Sequence, residues 1–210
     1  MSNFLQTTKT KYEIVADYDN ASMKVHQDDA PRVKLLKYAA QWSQNGGSDH
    51  GVDAHISDLL REHPEADKHI DKGIRHKTLW RGLGLLEKEM KRFLSTKTLA
   101  PRKYFESWSV KKDVAEGFAI PDWFCAGMYG VVFKKNIPKE DRLVYLPYYR
   151  IHVTEHEVLC YGRKLSLKDV SHILMKDPQT CKSKKFSLEQ VVEMVSRGEG
   201  DKIYKLNNCC

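Results

Sequence analysis

Residues 104 to 119 read Tyr-Phe-Glu-Ser-Trp-Ser-Val-Lys-Lys-Asp-Val-Ala-Glu-Gly-Phe-Ala, and this stretch decides the fold. Tyr104, Phe105 and Trp108 are strand-forming aromatics. Ser107 and Ser109 bracket Trp108, so the alternation of a strand sends both hydroxyls to one side. Val114 and Phe118, with Ala115 and Ala119, then recur at helical spacing. The stretch therefore reads as a strand that ends in a small-residue turn and runs straight into a helix. Two hydroxyls at a strand end can order a charged neighbour or a polar ligand. The same pattern also suits a plain solvated face.

Upstream, the sequence reads as helices. A short strand fits Tyr12 to Ala16. Pro31 then suits a first helical position, and Leu35, Ala39 and Trp42 follow at amphipathic spacing until Gly46-Gly47 stops the run. Val52, Ile56, Leu59 and Leu60 predict a second helix that ends before Pro64, and a third, short one fits residues 65 to 73. Residues from about 20 to 75 thus form a helical lobe. From residue 76 onward the pattern changes. Thr78 to Trp80 reads as a strand leading to Arg81-Gly82, and Leu86, Met90, Phe93 and Leu94 read as a helix. Short strands are expected over 128 to 133, 143 to 146 and 153 to 161, with one or two more between 165 and 175. The last of the three carries Glu155 and Glu157, and its alternation sends His156 to the opposite side from both. Ser187 and Gln190 form a capping box for a closing helix with Leu188, Val191, Val192 and Val195 as its apolar face. Helices first and mostly short strands after predict an α+β fold: one domain over 1 to 210, with a helical lobe and a mixed, mainly antiparallel β core.

Composition bounds the function. A chain of 210 residues with 41% hydrophobic content can build an ordinary core. No apolar run has membrane-spanning length, and the first residues lack the apolar core of a signal peptide. Five cysteines without C-x-x-C spacing suggest neither a disulfide framework nor a zinc site, so a reducing, cytoplasmic setting is expected. His50, Asp53, His55, Asp58, His63, His69 and His76 crowd the helical lobe. No pair among them has the H-x-x-x-H spacing that puts two ligands on one helix face, so no metal is expected. The net charge is +7, and Lys176, Lys182, Lys184 and Lys185 concentrate it toward the C-terminal side. Such a field favours anionic partners: a phosphorylated cofactor, nucleic acid or an acidic protein.

Three strand-borne features stand in order: Arg81-Gly82, Ser107-Trp108-Ser109 and Glu155-His156-Glu157. Glu87-Lys88-Glu89 and Arg197-Gly198 repeat the small motifs, but in or at the end of predicted helices. The stretches Leu-Trp-Arg-Gly-Leu, Glu-Ser-Trp-Ser-Val-Lys-Lys-Asp-Val-Ala-Glu-Gly-Phe-Ala and Val-Thr-Glu-His-Glu-Val-Leu together resemble the mono-ADP-ribosyltransferases of the Arg–Ser–Glu class, over about residues 76 to 162. That class includes bacterial toxins, vertebrate ectoenzymes and bacteriophage enzymes. The resemblance implies a β core with an NAD⁺ cleft, NAD⁺ as co-substrate, and release of nicotinamide as ADP-ribose passes to an acceptor. It implies that Glu157 stabilises the ribosyl cation, that Arg81 holds a cofactor phosphate, that Gly82 lets backbone approach the nicotinamide, and that Ser107 orients the glutamate with Ser109 in support. A carboxylate beside an oxocarbenium-like ribose and a guanidinium fork on a phosphate suit those roles chemically.

In that class, a glutamate at the position of Glu155 goes with arginine as acceptor. A guanidinium stays protonated, so it needs a carboxylate to bind it and take its proton. Tyr148 and Tyr149 fall where the class recognises its target protein, and Trp123 or Phe124 where an aromatic packs on nicotinamide. Trp108 departs from the commoner residue between the serines, and the short segment from 110 to 154 suggests a trimmed, intracellular or phage-type enzyme. Its setting would then be the host cytoplasm. Two other readings compete. An NAD⁺ glycohydrolase would use water as acceptor, which needs no Glu155. A basic nucleic-acid-binding module would use the lysine cluster and exposed tyrosines, and the same surface would bring a transferase to RNA or RNA-associated proteins.

Overall fold

The computed structural model describes residues 24–44, 50–66, 78–101, 105–121, 128–138, 141–145, 156–176 and 182–197. Pro31 opens helix α1 (Pro31–Gln44), whose Leu35, Leu36, Ala39 and Trp42 are buried. Helix α2 (His50–Glu62) packs Val52, Ile56 and Leu59 against them. The pair docks on the sheet through Phe105 and Leu159. The short helix expected over 65 to 73 lies largely outside the described residues, as does the strand at 12 to 16.

The next elements are β1 (Thr78–Leu86), α3 (Glu87–Thr96), β2 (Thr98–Leu99), β3 (Phe105–Ser109), α4 (Lys112–Ala119), β4 (Met128–Asn136) and β5 (Arg142–Tyr145). After them come β6 (Glu157–Tyr161), β7 (Leu165–Ser166), a 3-10 turn at Leu167–Asp169, β8 (Val170–Lys176), β9 (Ser183–Phe186) and α5 (Leu188–Ser196). Seven strands form one sheet in the order β5-β6-β3-β1-β4-β8-β9, and β2 pairs with β7. Every pairing among the described strands is antiparallel. The fold is α+β with a mainly antiparallel sheet.

Both faces of the sheet are covered. On one, Leu79, Trp108, Tyr129, Phe133 and Val158 form the main core beneath Met90 and Phe93 of α3 and Val191 of α5. On the other, α4 lies across β1 and β4 through Ala115, Ala119 and Val132, and the α1–α2 pair lies beside it over β3 and β6. We call these the α3/α5 face and the α4 face. No helix among the described residues is long and apolar enough to cross a membrane.

The structure corrects three local expectations. First, β1 does not stop near Trp80 but runs through Gly82 and Gly84 to Leu86. Leu79, Leu83 and Leu85 alternate toward the core, while Gly82 admits α4 on the other side: a Cβ there would lie 1.8 Å from the Ala115 carbonyl oxygen. Second, β6 starts at Glu157, and His156 occupies a turn with φ 49°. His156 therefore precedes the strand and does not alternate with Glu157, while residues 153–155 of the expected strand lie outside the described residues. Third, Val191 of α5 is buried but Val192 is 44% exposed, so the apolar face is narrower than the run of valines suggests.

Candidate functional site

Strand register brings the motifs together from distant parts of the chain. Ser109 on β3 pairs with Glu157 on β6, and on its other side with Trp80 on β1. Trp80 in turn pairs with Lys134 on β4. Glu157, Ser109, Trp80 and Lys134 thus form one row across four neighbouring strands. Paired residues of an antiparallel ladder point to the same face, and for this row it is the α4 face. Ser107 lies two residues along β3 and shares that face. Glu157 and Ser109 are both buried, and Ser107 is half-buried.

The chain fixes the mouth of this row with local bonds. The Lys111 N–H donates to Ser109 Oγ at 3.0 Å, turning the chain from β3 into α4. The Val110 N–H donates to the His156 carbonyl at 3.3 Å, which ties that turn to the residue before Glu157. His156 itself holds a left-handed conformation, which is costly for a residue with a Cβ and tolerated better by His than by most. Such strain concentrates at functional sites. Burial, with Lys111 nearby, lowers the His156 pKa below its ordinary value. The imidazole is accordingly neutral at neutral pH.

Arg81 belongs to the other face. Its Nη1 donates to the Ser107 carbonyl at 2.5 Å, and its Nη2 lies 3.6 Å from Glu106 Oε1. Glu106 is buried, and Arg81 is only 12% exposed. β1 and β3 share a single ladder pair, Trp80 with Ser109. Beyond it the guanidinium supplies the hydrogen bond that a continued ladder would have given the Ser107 carbonyl. Arg81 thus joins β1 to the Ser-Trp-Ser strand from behind. Gly82 sits under α4, and the close backbone approach it permits is made by that helix.

Glu155, Tyr148, Tyr149, Trp123 and Phe124 lie outside the described residues. Among the described residues, no three His, Cys, Asp or Glu side chains converge on a point that could hold a metal. Sequence reading missed Glu106, Trp80, Lys112 and Lys134. Glu106 stands inside the quoted motif, and strand alternation alone puts it on the face opposite the serines. Trp80 and Lys134 come together only through the β1–β4 register, which nothing local encodes.

The chain matches no protein-family model, and comparison with curated proteins and with solved structures likewise finds nothing similar to it.

Proposed function

We propose that this protein is a mono-ADP-ribosyltransferase that transfers ADP-ribose from NAD⁺ to arginine side chains of target proteins and releases nicotinamide. The observation that carries the reading is the register of Glu157 against Ser109, with Ser107 on the same face and Arg81 bound to the Ser107 carbonyl. Three motifs widely separated in sequence thereby meet on three adjacent strands.

In this reading the nicotinamide ribose lies against Glu157. The bond from ribose C1′ to the nicotinamide nitrogen breaks, its electron pair leaves with neutral nicotinamide, and positive charge spreads over C1′ and the ring oxygen. The Glu157 carboxylate stabilises that charge. Its burial keeps the carboxylate in a low-dielectric setting, where the attraction is stronger than in water. The hydroxyls of Ser107 and Ser109 orient the carboxylate and the ribose. A guanidine nitrogen of the acceptor then attacks C1′ and loses a proton, for which Glu155 is the base. Arg81 contributes by holding the Ser107 segment in place.

The test measures nicotinamide release from NAD⁺ and protein labelling with a cell lysate as acceptor. Wild type should do both, and Glu157→Gln neither. Glu155→Ala should release nicotinamide but label nothing. Release without labelling by wild type would convert the reading to an NAD⁺ glycohydrolase. No turnover of NAD⁺ under any condition would end it.

A further inference from the structure

The row that begins at Glu157 ends in a cationic cluster around Trp80. Lys134 Nζ lies 5.3 Å and Lys112 Nζ 5.8 Å from the centroid of the Trp80 ring. Lys185, on β9, reaches the same place from the far side of α4. Glu116 Oε1 is 3.3 Å from Lys112 Nζ and 3.9 Å from Lys185 Nζ. The same oxygen is 2.8 Å from Nε2 of the buried His172. Glu116 therefore offsets one of three ammonium groups. Lys112, with burial adding, lowers the pKa of Lys185, as expected of a cation held close to another. Lys112 and Lys185 are 40% and 52% exposed, so solvent and solutes reach them.

Holding like charges together on a half-exposed surface costs free energy that a bound anion would return. The ring of Trp80 adds a flat apolar wall beside them. Two strand spacings, about 10 Å, separate Trp80 from Glu157, and both are on the α4 face. Arg81, by contrast, is engaged on the α3/α5 face with Glu106 and the Ser107 carbonyl.

We propose that Lys112, Lys134 and Lys185, with the Trp80 ring, form the subsite for the diphosphate of the dinucleotide whose nicotinamide ribose lies at Glu157. The inference rests on the transferase reading for the identity of the dinucleotide. The cluster as a site for a diphosphate stands on its own geometry. Glu116 sets its specificity: it repels an anion from the His172 side and leaves the Trp80 side open.

The experiment compares wild type with Lys112→Ala/Lys134→Ala and with Trp80→Phe. It reads KM and kcat for NAD⁺ in nicotinamide release, and calorimetric affinity for inorganic pyrophosphate and for ADP-ribose. Folding of each variant is checked by its unfolding midpoint. The double lysine variant should raise KM about tenfold or more, with a much smaller change in kcat, and weaken pyrophosphate and ADP-ribose by a similar factor. The Lys112→Arg/Lys134→Arg variant should recover most of that loss. Unchanged KM together with unchanged pyrophosphate affinity overturns the subsite and leaves the transferase reading standing. If wild type turns over no NAD⁺ but binds pyrophosphate in a lysine-dependent way, the subsite stands and the transferase reading fails. If the lysine substitutions abolish binding of a single-stranded oligonucleotide while pyrophosphate affinity and KM hold, the patch serves a polyanion and the proposal is overturned.

Discussion

At Gly82 and Arg81, adjacent residues in one strand, fold and chemistry compete for the same positions. Gly82 has no room for a side chain: an added Cβ would lie 1.8 Å from the Ala115 oxygen and 2.5 Å from the Ala119 nitrogen, both backbone atoms of α4. Gly82→Ala must push the helix off the sheet, which should cost about 1–3 kcal/mol or more. Gly117, in the same helix, has open space around its Cβ position, so Gly117→Ala should instead stabilise by about 0.5–1 kcal/mol. Urea unfolding of the two variants checks both signs. An unaffected Gly82→Ala would mean that α4 does not seat as described. For Arg81 the governing term is desolvation. Arg81 and Glu106 form a buried pair, and removing one partner strands the other's charge, at about 3–5 kcal/mol. Arg81→Met and Glu106→Leu should each destabilise strongly, while the double variant Arg81→Met/Glu106→Leu should recover much of the loss. A double-mutant cycle on unfolding free energy measures that coupling, and additive losses would refute it. A fall in activity on replacing Arg81 therefore reports on the brace beneath Ser107 as well as on any ligand. Both residues were visible in the sequence as Arg-Gly. What was not visible is which face each serves, because the β1–β3 and β1–β4 registers are long-range facts.

Elements whose signals are local were legible, and those set by partners were less so. Helix α5 begins at Ser187 as its capping box predicts: the Gln190 N–H donates to Ser187 Oγ at 3.2 Å and the Ser187 N–H to Gln190 Oε1 at 2.8 Å. Ser187→Ala should therefore cost about 1 kcal/mol in unfolding experiments. A loss well below that would show that α5 is held by Val191 and its packing alone. Pro31 marks the start of α1 with equal clarity, because a fixed φ and a missing N–H suit only the first turn. β3 and α4 follow the reading of residues 104 to 119, apart from the exposure of Phe118. From sequence β1 reads shorter than it is, because glycine is a poor strand former, and the helix lying on Gly82 explains why glycine is there. Glu-His-Glu fits strand alternation as a pattern, yet His156 lies in a turn just before β6. The turn at His156, tied to Val110 from another part of the chain, is what ends that pattern. In the candidate site, Glu157 and the two serines were found from their motifs. Of the basic row beyond Trp80, the sequence marks only Lys185, within the C-terminal lysine cluster, since Trp80, Lys112 and Lys134 come from three elements with no shared spacing.

Across the whole molecule, the excess of positive charge has a structural as well as a functional consequence. β9 is an edge strand bearing Lys184 and Lys185, and charged edges discourage pairing with another chain. The same charges bear on pH stability through His172. That residue is buried on β8, with Nδ1 3.1 Å from Ser171 Oγ and Nε2 2.8 Å from Glu116 Oε1. Burial is the main cause that lowers its pKa below 6.5. Lys185 and Lys112 add to the effect, and Glu116 opposes it. The native state therefore resists protonation there more than the unfolded chain does. Above about pH 7.5 the imidazole is neutral in both states and contributes no pH dependence. As pH falls through 6.5, the unfolded chain takes up a proton that the native state does not, so stability is lost. The loss grows until pH drops below the native-state pKa and then levels off. His172→Gln removes this term and keeps a group able to bond Glu116. Its unfolding free energy, measured against wild type at about pH 7.5, 6.5 and 5.5, should gain on wild type as pH falls. Carboxylates and His156 titrate in both proteins, so the difference between the two isolates His172. A difference that stays constant from neutral to acid pH would mean that the Glu116 contact outweighs burial and the two lysines at this site.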